Sequence, residues 1–280
     1  MTAAAGLRHK PHVEFVDVDG VNLRVAIQGG AGNGVPLLIF NGIGANFELV
    51  YPFMEAMEGT EMIIFDVPGI GRSPMSWRPR RFTGLARLTA RLLDRLGYPE
   101  VDVAGVSWGG ALAQQFARSY PQRCRRLILA ATSAGAFMIP GRPSALSKMV
   151  TPQRYLSPSY MQRAAGAIYG GEARRHPGII VEHTARIIAP RFMGYIYQLI
   201  AGMGWTSIHW LHKLKQPTLI MAGSEDPLVP PANARIIAML VPNNRLFIVP
   251  GGGHLFLLHS AGKVVPVIRD FLESRDPIRP

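Results

Sequence analysis

Apolar and polar positions alternate along residues 12–18 and again along 21–27, with Asp19-Gly20 between them, so the first predicted elements are two strands of a hairpin. Beyond the glycine-rich loop 29–34 the pattern changes. Residues 35–40, 61–65, 101–106 and 126–130 contain short runs of Val, Ile and Leu, which read as parallel strands buried on both faces. Helical patterns lie between them: Leu85, Leu88, Leu92, Leu93 and Leu96 make one stripe over residues 84–96. Trp108, Leu112, Phe116 and Tyr120 make another, stopped by Pro121. This alternation of strand and helix predicts a doubly wound α/β sheet with the hairpin at its edge.

The alternation stops near Ser133 and resumes at Pro217, with strands expected over 218–222 and 245–249 and helices over 232–240 and 261–272. In between, the composition turns to Pro, Met and aromatics, with short helices fitting 159–169 and 191–203 and no convincing strand. We expect a helical cap inserted after the sixth strand, giving a core of residues 1–133 with 216–280 and a cap of 134–215. So apolar an insertion should turn part of its surface toward a cleft beneath it. Asn41, Met138, Phe192, Trp205 and Trp210 are the substrate-binding candidates.

Composition narrows the class. The 280 residues are 48% hydrophobic and 17% charged, enough for a large core, yet no uninterrupted apolar stretch has the length of a membrane span. Residues 1–10 lack the apolar region of a secretory signal, and Cys124, the single cysteine, forms no intrachain disulfide; a cytoplasmic setting is expected. The net charge of +12 comes from short arginine groups such as Arg78, Arg80 and Arg81, without a nucleic-acid motif. Solvated faces account for most of it, leaving an anionic surface, lipid or a coated particle, as the remaining candidate partner. His209 and His212 could share a helix face but lack further ligands, so no metal is expected. Nothing in the sequence indicates an oligomeric state.

The chemistry centres on Gly105-Val106-Ser107-Trp108-Gly109-Gly110, which follows an apolar strand and precedes a helix. A serine at so sharp a turn is lifted clear of the sheet, and the glycines leave room for it, so Ser107 reads as a nucleophile. A serine hydroxyl needs a histidine base, and the base needs a carboxylate to fix its tautomer. Such a turn is followed along the chain by the acid and then the histidine. Glu225-Asp226-Pro227 supplies the acid after the seventh strand, and Gly251-Gly252-Gly253-His254 the base after the eighth. Asp226 is favoured over Glu225, because a short carboxylate just before a proline also orders its own turn. Asp66 precedes the serine among turn glycines and reads as structural. The remaining histidines have blander places: His9 and His12 before the sheet, His176 and His183 in the cap, His259 at the start of the last helix. Backbone NH donors for the oxyanion are expected from Trp108 and from Ile43 in Asn41-Gly42-Ile43-Gly44, with Asn41 either bracing that loop or filling an ordinary turn.

With those residues in place the chain resembles an α/β-hydrolase, and more narrowly the intracellular depolymerases of medium-chain-length poly(3-hydroxyalkanoate). The resemblance is carried by 40–46, by 105–116, and by Gly204-Trp205-Thr206-Ser207-Ile208-His209-Trp210-Leu211-His212-Lys213 in the cap, and runs from about residue 35 to the last helix. It implies an eight-stranded sheet, a triad on Ser107, Asp226 and His254, no cofactor, and cleavage of esters of 3-hydroxy acids on storage granules inside the cell. An acidic residue is expected just ahead of the Gly-His pair; Gly251-Gly252 stands there instead. Alternatives are a general medium-chain esterase or lipase, a carbon-carbon bond hydrolase or cofactor-free peroxidase built on the same triad, and an inactive relative that coats granules or lipid.

Overall fold

The structure, a computed structural model, describes residues 10–32, 34–149 and 157–274. Eight strands, β1 (His12–Val18), β2 (Val21–Gln28), β3 (Leu37–Phe40), β4 (Met62–Phe65), β5 (Val101–Val106), β6 (Cys124–Ala130), β7 (Thr218–Gly223) and β8 (Asn244–Val249), form one sheet. Their order is β1-β2-β4-β3-β5-β6-β7-β8. Only the edge hairpin is antiparallel, β1 to β2 and β2 to β4; every later pairing is parallel. The apolar runs are buried on both faces, as in Leu37, Leu38, Ile39 and Phe40 of β3, because helices cover both sides of the sheet. β3 starts two residues later than the pattern suggests. Pro36 has no NH for the ladder, although its carbonyl still accepts from the Asp102 NH at 2.8 Å.

On one side α2 (Phe82–Leu96), α3 (Trp108–Ser119) and α9 (Pro231–Leu240) pack Phe82, Leu92, Leu112, Phe116 and Ile237 against the strands. On the other side α1 (Tyr51–Ala56), α10 (Phe256–His259) and α11 (Ala261–Glu273) contribute Phe53, Met54, Phe256, Ile268 and Phe271. His259 does not begin the last helix. It closes the short α10, and the chain restarts as α11 after Ser260.

Between β6 and β7 the chain leaves the sheet as α4 (Pro143–Met149), α5 (Pro158–Tyr169), α6 (Gly171–Arg175), α7 (Gly178–Ala185) and α8 (Phe192–Gly202). The Ser157 hydroxyl accepts from the Tyr160 NH at 3.2 Å and starts α5. Ala145, Met161, Ala164, Ile168 and Ile180 give these helices an apolar cluster of their own. The excursion is tied at its base: Gly135 bridges Thr206, the Ala136 NH donates to the Trp205 carbonyl at 2.8 Å, and the Ser207 NH donates to the Ala134 carbonyl at 2.9 Å. Toward its end Trp210, Leu211 and Leu214 pack in the sheet's core. Among the described residues no helix is long and apolar enough to cross a membrane.

Candidate active site

Ser107 sits between β5 and α3 with φ 55° and ψ −118°, a conformation that L-residues rarely adopt. Its backbone is held from three directions. The Ser107 NH donates to the Ala130 carbonyl at 2.9 Å, and the Ser107 carbonyl accepts from the Gly110 NH at 2.9 Å and the Thr132 hydroxyl at 2.7 Å. Glycine is required around it: a Cβ on Gly109 would strike the Phe40 carbonyl, and one on Gly110 would lie 2.5 Å from Thr132. The helix α3 begins at Trp108, the first residue of its apolar stripe and directly after the serine, so the positive end of its dipole faces the site.

Asp226 and His254, the expected acid and base, lie in the loops after β7 and β8. His254 Nδ1 lies 2.8 Å from Asp226 Oδ2, and both side chains are buried. Asp226 Oδ1 accepts from the NH groups of Leu228 and Val229 at 2.8 and 2.9 Å, so one carboxylate oxygen orders its own turn while the other orients the imidazole. Glu225 points elsewhere, forming ion pairs with Arg174 and Arg175 of α6 at 2.6 and 2.9 Å.

The loop after β3 is folded by Asn41. Its side-chain oxygen accepts from the Gly42 NH at 2.8 Å and its amide donates to the Asn46 carbonyl at 3.0 Å. Gly44 donates its NH to Gln198 Oε1 at 2.6 Å, and the Trp108 indole donates to the Gln198 carbonyl at 2.9 Å. Gln198 of α8 thereby ties together the two segments expected to supply oxyanion donors.

Ser107, His254, Asn41 and Ile43 line one cavity of about 90 Å³. A buried water needs roughly 10–15 Å³ on this measure, so the space accommodates several waters or a short alkyl chain. Ser107 and His254 share it without a direct hydrogen bond between their side chains; the contact between such groups commonly tightens only when substrate is bound. The walls are apolar. Leu49 and Phe53 line it from α1 and the turn before it, Leu258 from α10, Ile187 from the excursion, Ile128 from β6 and Ile268 from α11.

Four expected substrate contacts fall outside this lining. Trp205 packs edge-on to Phe82 and Trp210, with ring centroids 5.1 and 6.0 Å apart, and its indole donates to Gln115 Oε1 at 2.9 Å. Trp210 is buried in the same cluster. Met138 is a half-buried neighbour of the Ser133 hydroxyl, and Phe192 is exposed on α8. In the structure Trp205 and Trp210 pack in the core cluster, Met138 is half-buried and Phe192 faces outward.

The excursion reaches the acid and base through the corner between α5 and α6. The His254 NH donates to the Tyr169 carbonyl at 2.7 Å, and the two rings stack nearly parallel. Gly170 and Gly171, at φ 63° and 47°, fit against the Glu225 carbonyl and the Gly253 NH so closely that neither could carry a Cβ. Arg175 Nη2 donates to the Gly251 carbonyl. The glycines that replace the expected acidic residue therefore receive the corner of the cap. The Gly170-Gly171 pair was the sequence signal for this junction, and the pattern reading passed over it.

Asp66 lies outside the cavity lining. Its carboxyl accepts from the Phe47 and Arg72 NH groups at 2.9 and 3.2 Å and meets Arg24 at 3.5 Å, and burial pushes its pKa up to about 7. Among the described residues no three His, Cys, Asp or Glu side chains converge as a metal site.

The sequence matches the α/β-hydrolase fold family over residues 35–198 and 201–261. It is 54% identical to a poly(3-hydroxyalkanoate) depolymerase of Ectopseudomonas oleovorans over 260 residues, 92% of each chain. Among solved structures it superposes on a hydrolase from Pseudomonas aeruginosa PA01 with TM-score 0.77 at 22% identity, covering 97% of this chain and 100% of that one. An enol-lactonase from Burkholderia xenovorans LB400 gives TM-score 0.79 at 21% identity, covering 93% and 100%. At those identities the superpositions speak for the fold; together with the family match and the depolymerase relative, they establish that the chain belongs to the α/β-hydrolase family.

Proposed function

We propose that this chain is a serine hydrolase that cleaves the ester bonds of medium-chain-length poly(3-hydroxyalkanoate), releasing 3-hydroxy acids or oligomers through an acyl-enzyme. The observation that carries the chemistry is the buried Asp226–His254 hydrogen bond opening, with Ser107, onto one apolar cavity. The relative of 54% identity supports the polymer as substrate. Each repeat of such a polyester offers a carbonyl for the elbow and an alkyl branch for the apolar walls.

In the first half-reaction His254 Nε2 takes the Ser107 proton as Oγ attacks the ester carbonyl. Asp226 holds the Nδ1–H tautomer and stabilises the imidazolium. The NH groups of Trp108 and Ile43 receive the oxyanion, at the positive end of α3. His254 returns the proton to the departing alkoxide, leaving the acyl group on Ser107. Water, deprotonated by His254, then releases the acid. Residues 134–215 act as the cap over this step, the working place is the cytoplasm, and granules of the polymer are the substrate as presented.

The test is clearing of a poly(3-hydroxyoctanoate) latex by the wild-type chain and by Ser107→Ala, with poly(3-hydroxybutyrate) and medium-chain nitrophenyl esters alongside. We expect the octanoate polymer to clear and Ser107→Ala to lose at least about 10³-fold in rate. Turnover of soluble esters alone would replace the polymer reading with that of an esterase, and binding without turnover would make the chain a coat protein.

A further inference from the structure

The helix α8 has two unlike faces. Gly194, Gln198 and Ala201, spaced at i, i+4 and i+7, are buried against the core, and Gln198 holds the loop after β3. Phe192, Leu199 and Met203, at i, i+7 and i+11, line the opposite side and are 69, 45 and 64% exposed. The helix carries no charged residue, so this outward face is apolar without being covered.

Alongside it runs the loop before α2. Arg81 donates to the carbonyls of Ile200 and Met203 at 3.2 and 2.6 Å, and Ser76 and Arg80 share a small cleft with Tyr197 and Gln198. This loop presents Trp77, 82% exposed, with the Arg78 guanidinium 4.7 Å over its ring. Arg191 stands at the other end of α8 and is also exposed. Acidic residues are missing from both segments: between Asp66 and Asp94, and between Glu182 and Glu225, the sequence has none.

An apolar helix face bordered by arginines and an indole has the chemistry of a helix lying in a lipid headgroup layer. We propose that the outer face of α8, with Trp77, Arg78, Arg81 and Arg191, docks on an anionic phospholipid surface. Charge complementarity selects this occupant. A second copy meeting the patch across a twofold axis would set these arginines against their own equivalents, and an uncoated neutral polyester would leave them without counter-charge. Because the inner face of α8 holds the loop beside Ser107, docking places the helix that braces this loop at the coat of a particle. The inference deepens the polymer reading by naming the coat, yet lipid binding is measurable without any ester turnover.

The experiment is flotation of the Ser107→Ala chain with phosphatidylcholine vesicles and with vesicles containing phosphatidylglycerol as well, at low and high salt. Binding should need the anionic lipid and weaken with salt. Trp77→Ser with Met203→Ser, and separately Arg78→Glu with Arg191→Glu, should each weaken it by about tenfold or more. In the chain that keeps Ser107, both pairs should leave turnover of a soluble nitrophenyl ester unchanged. The proposal is overturned by no binding, by equal binding to neutral and anionic vesicles, or by binding that either variant pair leaves intact. A dimer in sedimentation that Met203→Ser disperses would also overturn it, assigning the face to a second copy. Failure of latex clearing with lipid binding preserved would remove the polymer reading and leave this one standing.

Discussion

Two of the contacts between the excursion after β6 and the core beneath it are of opposite construction. At the α5–α6 corner the contact is backbone on backbone: Tyr169 carbonyl to His254 NH, with Gly170 and Gly171 seated where no side chain fits. At α8 the contact runs through one residue, Gln198, whose side-chain oxygen accepts from the Gly44 NH and whose backbone carbonyl accepts from the Trp108 indole. The acid and base are thus fixed by geometry that tolerates almost no substitution. The oxyanion side is fixed by hydrogen bonds that can be removed singly, on a helix whose other face is uncovered.

Four changes sharpen that contrast. The largest effect should come from Asp226→Asn, which keeps the shape but favours the wrong imidazole tautomer: kcat should fall by about 10³–10⁴, with the melting temperature moved little. A loss under tenfold would mean that another carboxylate orients His254. Gly171→Ala comes next, since its Cβ would meet the Gly253 NH at a backbone φ of 47°. We expect a loss of about 2–3 kcal/mol in stability together with about 10²-fold in kcat, read by thermal melting and ester turnover; wild-type behaviour would show the corner to be pliable.

Third is a pH effect at the same junction. His183 of α7 stacks edge-on near Tyr169 and His259, with centroids 6.1 and 6.3 Å away. Burial, helped by His259 and Arg186, lowers the His183 pKa to about 4, and burial lowers that of His259 to about 4 against a partly opposing Glu172. Both values lie below the unfolded one, so between about pH 6.5 and 4 the unfolded chain binds protons that the folded chain refuses. Stability from these two groups is complete above pH 6.5 and falls on acidification. Asp66, raised to about 7, acts in the reverse sense, because its folded state takes up the proton first. Relative to wild type, His183→Gln with His259→Gln should therefore resist acid, by about 1–3 kcal/mol at pH 4.5. Parallel melting curves across this range would show that neither histidine is held neutral. The smallest effect belongs to the pliable side: Gln198→Ala should lower kcat by about tenfold, roughly 1.4 kcal/mol in barrier, with KM and melting temperature close to wild type. An equal fall in stability would make Gln198 a packing residue only.

The elbow was legible in the sequence because its demands are local: strand, glycine, serine, glycine and helix lie within one short segment. The pairing of Asp226 with His254 was legible because both sit in brief loops at the ends of β7 and β8, where order along the chain stands in for position in space. The cavity wall was not. Leu49, Phe53, Leu258 and Ile268 come from helices on the far side of the sheet, and each looks like any buried residue until the strands align. The partners of Trp205 and Trp210 were illegible for a related reason: a large apolar side chain announces burial but not against what, and these two pack on Phe82 and on one another. Gln198 left no trace either, since a polar residue at one turn of an apolar helix reads as solvent-facing until its partner, 154 positions away in the chain, is known.

The tie at Gly135 and Thr206 has a consequence for how such a molecule can change. β6 and β7 are immediate neighbours, paired Leu127 with Thr218 through Ala130 with Met221, so their alignment does not depend on what the chain builds between leaving one and entering the other. Everything beyond that neck can be lengthened, shortened or exchanged for a relative's equivalent while the strands below stay in step. The reach and taste of the enzyme can thus drift separately from the machinery that breaks the bond, provided that each new roof brings its own glycine corner to rest on His254.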